Sequence, residues 1–271
     1  MSMKRKSKLI ISILGMLLLA SCTTAPLTGR KQLKLVSDES VARDSVESYR
    51  QFINEASSKN LLANDTADGR RLKEIGGRIS RAVEKYMNEN GMSKKVNSLN
   101  WEFNLIKSNE MNAFAMPGGK IAFFTGIMPV LKTDGGVAFV MGHEIGHVIG
   151  GHHAEGKSNR LTAGVVMIGK GVVDVLTGGA TEAISNDLIG QGLQIGLLKF
   201  NRTQEYEADK YGMIFMAMAG YNPEEAIKVQ ERMAEKGSGK GSDFLSTHPS
   251  SDKRIKAMKD FLPEAMKYYR K

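Results

Sequence analysis

Apolar positions recur at three- and four-residue steps over two long stretches in the first third of the chain, and this spacing predicts two amphipathic helices. The first opens at Ser37-Asp38-Glu39, runs to about Lys59 and carries Val41, Val46, Tyr49, Phe52 and Ile53. The second covers residues 65–90, with Leu72, Ile75, Ile79, Val83, Tyr86 and Met87 on one face and Asn90-Gly91 as its stop. Residues 101–107 set Trp, Phe and Leu against Glu, Asn and Ile, which predicts a strand. Residues 113–116 and 120–124 flank Pro117-Gly118-Gly119 and read as strand, turn, strand. Thr133-Asp134 is placed to cap a helix from about Gly135 to His153. Residues 161–176 are the most apolar stretch beyond the leader. Lys170, Asp174 and three glycines argue against a membrane span there, so a helix packed against the active-site region is expected. Further helices are expected at 182–198, 203–219, 223–235 and 251–261, with a flexible Gly/Ser loop at 236–242. No internal repeat is visible. The expected fold class is α+β, mostly helical, with a small β-sheet.

The first residues obey a different pattern. Lys4, Arg5, Lys6 and Lys8 precede an apolar core at 9–19, too short to span a bilayer and of the length of a signal-peptide core. Leu19-Ala20-Ser21-Cys22 follows, and Cys22 is the only cysteine among 271 residues. Small residues before a cysteine at this place resemble a bacterial lipobox. The resemblance implies cleavage before Cys22 and lipidation of Cys22, with Thr23 favouring the outer membrane and a domain that faces the periplasm. The expected organisation is a signal peptide at 1–21, a lipid-anchored tether at 22–36 and one folded domain at 37–271. A single cysteine excludes a disulfide-built fold. The net charge of +9 loses four positive charges with the leader, which leaves 34 basic against 29 acidic residues. No basic run with interleaved aromatics is present, so nucleic acid is not an expected partner.

Chemistry enters at His143-Glu144-Ile145-Gly146-His147, an H-E-x-x-H. On a helix the two imidazoles share a face, so both reach one ion, and the intervening Glu144 can take a proton from a water that the ion polarises. The pattern predicts a zinc hydrolase with His143 and His147 as ligands, Glu144 as general base and one Zn²⁺ per subunit. A third protein ligand is needed. Two candidates compete on the residues alone. His143 to His153 fits H-E-x-x-H-x-x-G-x-x-H, with His153 as ligand after a turn at Gly150. Alternatively Glu205, in Thr203-Gln204-Glu205-Tyr206-Glu207-Ala208-Asp209, binds the ion from a later helix, with Asp209 one turn on as support for a ligand imidazole.

Four pieces in order resemble the prenyl-protease-type zinc metallopeptidases, peptidase family M48, in their bacterial lipoprotein branch: residues 112–119, the 143–147 motif, residues 202–209, and Thr247-His248-Pro249 with Arg254. The resemblance implies a zincin-like domain and places the third ligand at Glu205. His152 and His153 are then expected to finish the motif helix. Gly135-Gly136 departs from the family pattern and is expected to soften the helix start. Asn112, Ala113, Phe114 and Ala115 are expected to line an exposed edge strand that pairs with an extended polypeptide substrate. His248 is implied near the zinc, either as a catalytic oxyanion donor or as a latch on the open metal position. Arg254 is expected to orient a carbonyl or pair with an acid. The implied function is a zinc endopeptidase of extended or misfolded envelope proteins, with envelope assembly proteins as possible partners. The competing expectation is a chaperone-like lipoprotein that holds client chains around a structural zinc.

Overall fold

The computed structural model describes residues 22–168, 200–237, 244, 247–248 and 252–269. Chain order begins with a ribbon of β1 (Cys22–Thr24) and β2 (Lys31–Leu33), then α1 (Asp38–Ser58), α2 (Ala67–Glu89) and the short α3 (Ser93–Val96). The sheet strands β3 (Glu102–Ile106), β4 (Ala113–Met116) and β5 (Lys120–Phe124) follow. After a 3₁₀ turn and the short α4 (Met128–Leu131) come α5 (Asp134–Ile149), α6 (His152–Ile168), α7 (Arg202–Met218), α8 (Glu224–Gly237) and α9 (Asp252–Met266). The expected helix at 182–198, the 169–176 part of the expected helix at 161–176 and the 238–242 part of the expected loop at 236–242 lie outside the described residues; residues 236 and 237 still belong to α8.

Capping places the long helices where the sequence predicts them. Ser37 accepts a hydrogen bond from the Ser40 N–H, Thr66 from Gly69 and Thr133 from Gly136. The α2 stripe of Leu72, Ile75, Ile79, Val83 and Met87 is fully buried in the main core. Each such side chain contributes about 1.5–3 kcal/mol relative to exposure.

The three strands lie in the order β3-β5-β4. β4 pairs antiparallel with β5, Ala115 opposite Ile121, and β3 pairs parallel with β5, Phe103 opposite Ile121. Gly118 (φ 92°) and Gly119 (φ 81°) make the β4–β5 turn in the left-handed region, and their carbonyls accept from Asn100 and Glu102 at the mouth of β3. β4 is thus the sheet's edge, but its side chains are not exposed. Ala113 and Ala115 enter the main core with α5, while Phe114 and Met116 enter a second core with Tyr49 and Phe52 of α1. The expectation of an exposed strand is corrected: helices cover both faces of β4.

Two further expectations change. The motif helix stops at Ile149, because Gly150 caps it and Gly151 (φ 71°) turns the chain. His152 and His153 therefore open α6 instead of finishing α5. Gly135 and Gly136 are also not a soft start. A Cβ on Gly136 would lie 2.1 Å from the Leu131 carbonyl oxygen, and one on Gly135 2.9 Å from Glu225. These glycines are seats for close packing.

Residues 22–36, read from sequence as a tether, fold back on the domain. Ala25 and Gln32 are buried, Gln32 donates to the Gly150 carbonyl at 2.7 Å, and the Leu27 N–H donates to the Tyr211 hydroxyl at 2.9 Å.

Candidate active site

Two helices bring the polar cluster together. α5 and α7 cross with their backbones nearly touching, because small residues line the seam. A Cβ on Gly142 would lie 3.1 Å from Gly212, and one on Gly146 2.8 Å from the Tyr211 side chain. α7 begins with a full capping box, Asn201 and Gln204 each bonding the other's backbone. Its first turn holds Glu205, where the positive helix end favours a carboxylate.

The result is a buried group of four donors: His143, His147, Glu205 and His248, with one ligand atom of each within 4.8 Å of the others. The Nε2 atoms of His143 and His147 are 3.2 Å apart. Glu205 Oε1 lies 3.5 Å from His147 Nε2, and His248 Nδ1 lies 3.1 Å from Glu205 Oε1 and 3.4 Å from His143 Nε2. Tetrahedral zinc with bonds near 2.0–2.1 Å needs ligand–ligand separations of about 3.3 Å. The observed spacings and the nitrogen–oxygen donor set fit that ion. His153 is not in this group; it lines a groove with Asp38, Lys95 and Gly118.

Supporting contacts fix the donors. The His143 Nδ1–H donates to Asp209 Oδ1 at 3.0 Å, which leaves Nε2 free to bind. Arg254, buried beneath them, donates to both oxygens of Asp209 at 2.8 and 2.6 Å and lies 2.6 Å from Glu205 Oε2. Of the two roles expected for Arg254, it takes the pairing with acids. Burial alone would raise both carboxyls. Arg254 outweighs it at Asp209, and His248 with Arg254 outweighs it at Glu205, so both are held below the usual carboxylate range. Phe200 stacks on the His147 ring at 3.7 Å, and Phe244 on His248 at 4.6 Å.

Glu144 behaves differently from the other acids. It is buried, its Oε1 has no hydrogen-bond partner, and desolvation pushes its carboxyl up despite the nearby His248 and His143. His248 Nε2 lies 3.6 Å from that oxygen. Glu144 and Glu205 together overcome the burial that would lower the His248 imidazole, and raise it. The backbone of Ala115 on β4 favours the charged form of Glu144, which places the general-base candidate at the strand edge. Asn112 is fully buried and its Oδ1 accepts from the Ala113 N–H.

Sequence reasoning missed a second layer. His152 Nδ1 lies 2.9 Å from His147 Nδ1, and His152 Nε2 lies 3.0 Å from Glu207. Glu207 and Glu155 share Arg30 of the ribbon. Glu207 reads in the sequence as one more helical acid. Its signal is positional: two residues after Glu205 it faces a different side of α7.

Residues 75–262 match the family described as Peptidase family M48. The chain is 33% identical over 243 residues to the mitochondrial metalloendopeptidase OMA1 of Schizosaccharomyces pombe, covering 89% of this chain and 66% of that protein. It is 29% identical over 172 residues to the metalloprotease LoiP of Escherichia coli, covering 63% and 66%. With the beta-barrel assembly-enhancing protease of Escherichia coli it shares 27% over 182 residues, covering 64% and 37%. Against OMA1 proteins of fission yeast, Arabidopsis thaliana and Saccharomyces cerevisiae it spans 38–66% of their length.

Proposed function

The chain belongs to peptidase family M48, and from that premise we propose that it is a zinc-dependent metalloendopeptidase. One observation carries the proposal: Glu144, buried and with its carboxyl pushed up, stands beside a nitrogen–oxygen donor group spaced for zinc. His143 and His147, through Nε2, and Glu205 would hold the ion. Bound zinc would polarise a peptide carbonyl and a water at the site. Glu144 accepts a proton from that water as its oxygen adds to the carbonyl carbon. It then returns the proton to the amine nitrogen as the C–N bond breaks. Asp209 and Arg254 keep His143 and Glu205 oriented.

In this reading His248 is a latch. Its Nδ1 completes the four-donor group and its Nε2 lies 3.6 Å from Glu144 Oε1, so His248 stands where the open metal position would be. Swinging His248 out opens the site.

The anchor proposal extends this to the cell. Residues 1–21 serve as signal peptide, Cys22 as the lipidated residue, and the domain faces the periplasm from the outer membrane. Its substrates are extended or misfolded envelope proteins. Likeness to a beta-barrel assembly-enhancing protease supports envelope assembly proteins as partners. The names of the OMA1 relatives are mitochondrial, so the compartment rests on the leader and the lipobox.

The deciding experiment compares wild type with Glu144→Gln on an unfolded model protein. Cleavage by wild type alone supports the peptidase. Equal persistence of the client with both proteins would favour the chaperone-like alternative.

A further inference from the structure

His143 has the expected carboxylate behind it, Asp209. His147 does not. Behind its Nδ1, at 2.9 Å, stands His152 Nδ1, and behind His152 Nε2, at 3.0 Å, stands Glu207 Oε2. All three side chains are buried. If His147 turns Nε2 to the ion, its proton sits on Nδ1 and must be accepted. His152 accepts it only with its own proton on Nε2, and Glu207 accepts that one. Every ring nitrogen in the row then has one defined role.

Glu207 is itself fixed by the ribbon. Arg30 Nε and Nη2 donate to its two oxygens at 3.1 and 2.9 Å, and Thr28 donates to it as well. Arg30 also forks onto Glu155 at 2.6 and 2.8 Å. Glu155 accepts from Gln32 of the ribbon and from Gln204, the residue that caps α7. The ribbon thus holds the acids at the starts of both α6 and α7.

We propose that His152 and Glu207 are the positioning residues of His147, locked by Arg30, so that the N-terminal ribbon is part of what shapes the metal centre. The inference rests on the reading of His147 as a zinc ligand. The break at Gly150-Gly151 gains a purpose from it. A helix continued through 152 would carry His152 away from His147. The left-handed turn at Gly151 brings it back.

The test uses the full chain and reads zinc affinity by competition with a chromophoric chelator, together with the visible spectrum of the cobalt-substituted protein. Loss of a group that orients a ligand imidazole typically costs 10–100-fold in metal affinity. His152→Leu should lose about that much and shift the cobalt bands. His152→Asn, which keeps an acceptor near the place of Nδ1, should recover most of the loss. Arg30→Gln should weaken zinc about tenfold, because Glu207 is then no longer clamped. Wild-type affinity and spectrum in both His152→Leu and Arg30→Gln would overturn the proposal, as would equal losses in the Leu and Asn variants, which would point to packing alone. If His152→Leu does not fold, the Arg30→Gln result decides by the same criterion. A wild-type chain that takes up no zinc would overturn the metal reading itself, and that outcome is distinct from variants that load normally.

Discussion

Glu144 and His248 are buried neighbours that influence each other's charge, and they are proposed to act at different moments. Among the described residues Glu144 Oε1 has no hydrogen-bond partner and only His248 at 3.6 Å, whereas Arg254 stands 2.6 Å from both Glu205 Oε2 and Asp209 Oδ1. Glu144→Gln removes a proton acceptor and no ligand, so zinc content and fold should stay at wild-type values. Peptide hydrolysis should fall at least 10²–10⁴-fold, as measured by cleavage of a quenched peptide. His248→Ala should act in the opposite sense: turnover should rise severalfold with zinc retained, since three ligands remain. A fall in kcat with unchanged KM would instead assign His248 to the reaction itself. At this scale the sequence is legible where chemistry imposes spacing. His143, Glu144 and His147 stand out because one helix turn sets their separation. Glu205 and His153 cannot be ranked by spacing, because what separates them is where α7 lies against α5. In the sequence the family resemblance favours Glu205, with lesser support from the lack of an obvious Met-turn and from the lower site charge that a carboxylate ligand gives.

At the scale of elements, the site depends on two helices approaching through glycine. A Cβ on Gly212 would stand 3.0 Å from the His143 backbone nitrogen and 3.1 Å from the Phe139 carbonyl oxygen. Gly212→Val should therefore push α7 away from α5, cost about 1–3 kcal/mol of stability by overpacking and weaken zinc binding. Thermal unfolding with and without zinc measures both. The caps and stripes of α1, α2, α5 and α7 are readable from Ser37, Thr66, Thr133 and the apolar steps, since these are local signals. The parallel partner of β5 is not, because β3 reaches it through contacts distant in sequence. The ribbon escapes sequence reading for a similar reason. Arg30 is one charge in a short polar stretch until Glu155 and Glu207 are folded around it. Burial alone would raise Glu207, but His152, Arg30 and Thr28 hold it down to about 2. A depressed acid adds stability that is complete above its unfolded value, about 4.5, and is lost as pH falls through its folded value. Susceptibility of residues 22–36 to pepsin should thus rise between pH 4.5 and 2, and Glu207→Gln should diminish that step, the remainder coming from Glu155, which burial would raise but Arg30 also holds below its usual range.

For the whole molecule, no described helix is long and apolar enough to cross a membrane. The proposed attachment lies at Cys22, where β1 begins, and the ribbon follows without slack before Arg30 meets the domain. A lipid at Cys22 would therefore hold the peptidase domain close to the bilayer. Cys22→Ala should move the protein from the membrane to the soluble fraction after a high-salt wash. Retention of the mutant in the membrane would overturn the lipid-anchor proposal. The proposed chemistry stands on one arrangement: a zinc site built from the motif helix and from Glu205 of α7, with His153 outside it. Zinc content after dialysis against a mild chelator, compared between Glu205→Gln and His153→Ala, tests this most directly. The account predicts that Glu205→Gln loses its zinc while His153→Ala keeps it and most of its activity. Zinc lost from His153→Ala and retained by Glu205→Gln would contradict it.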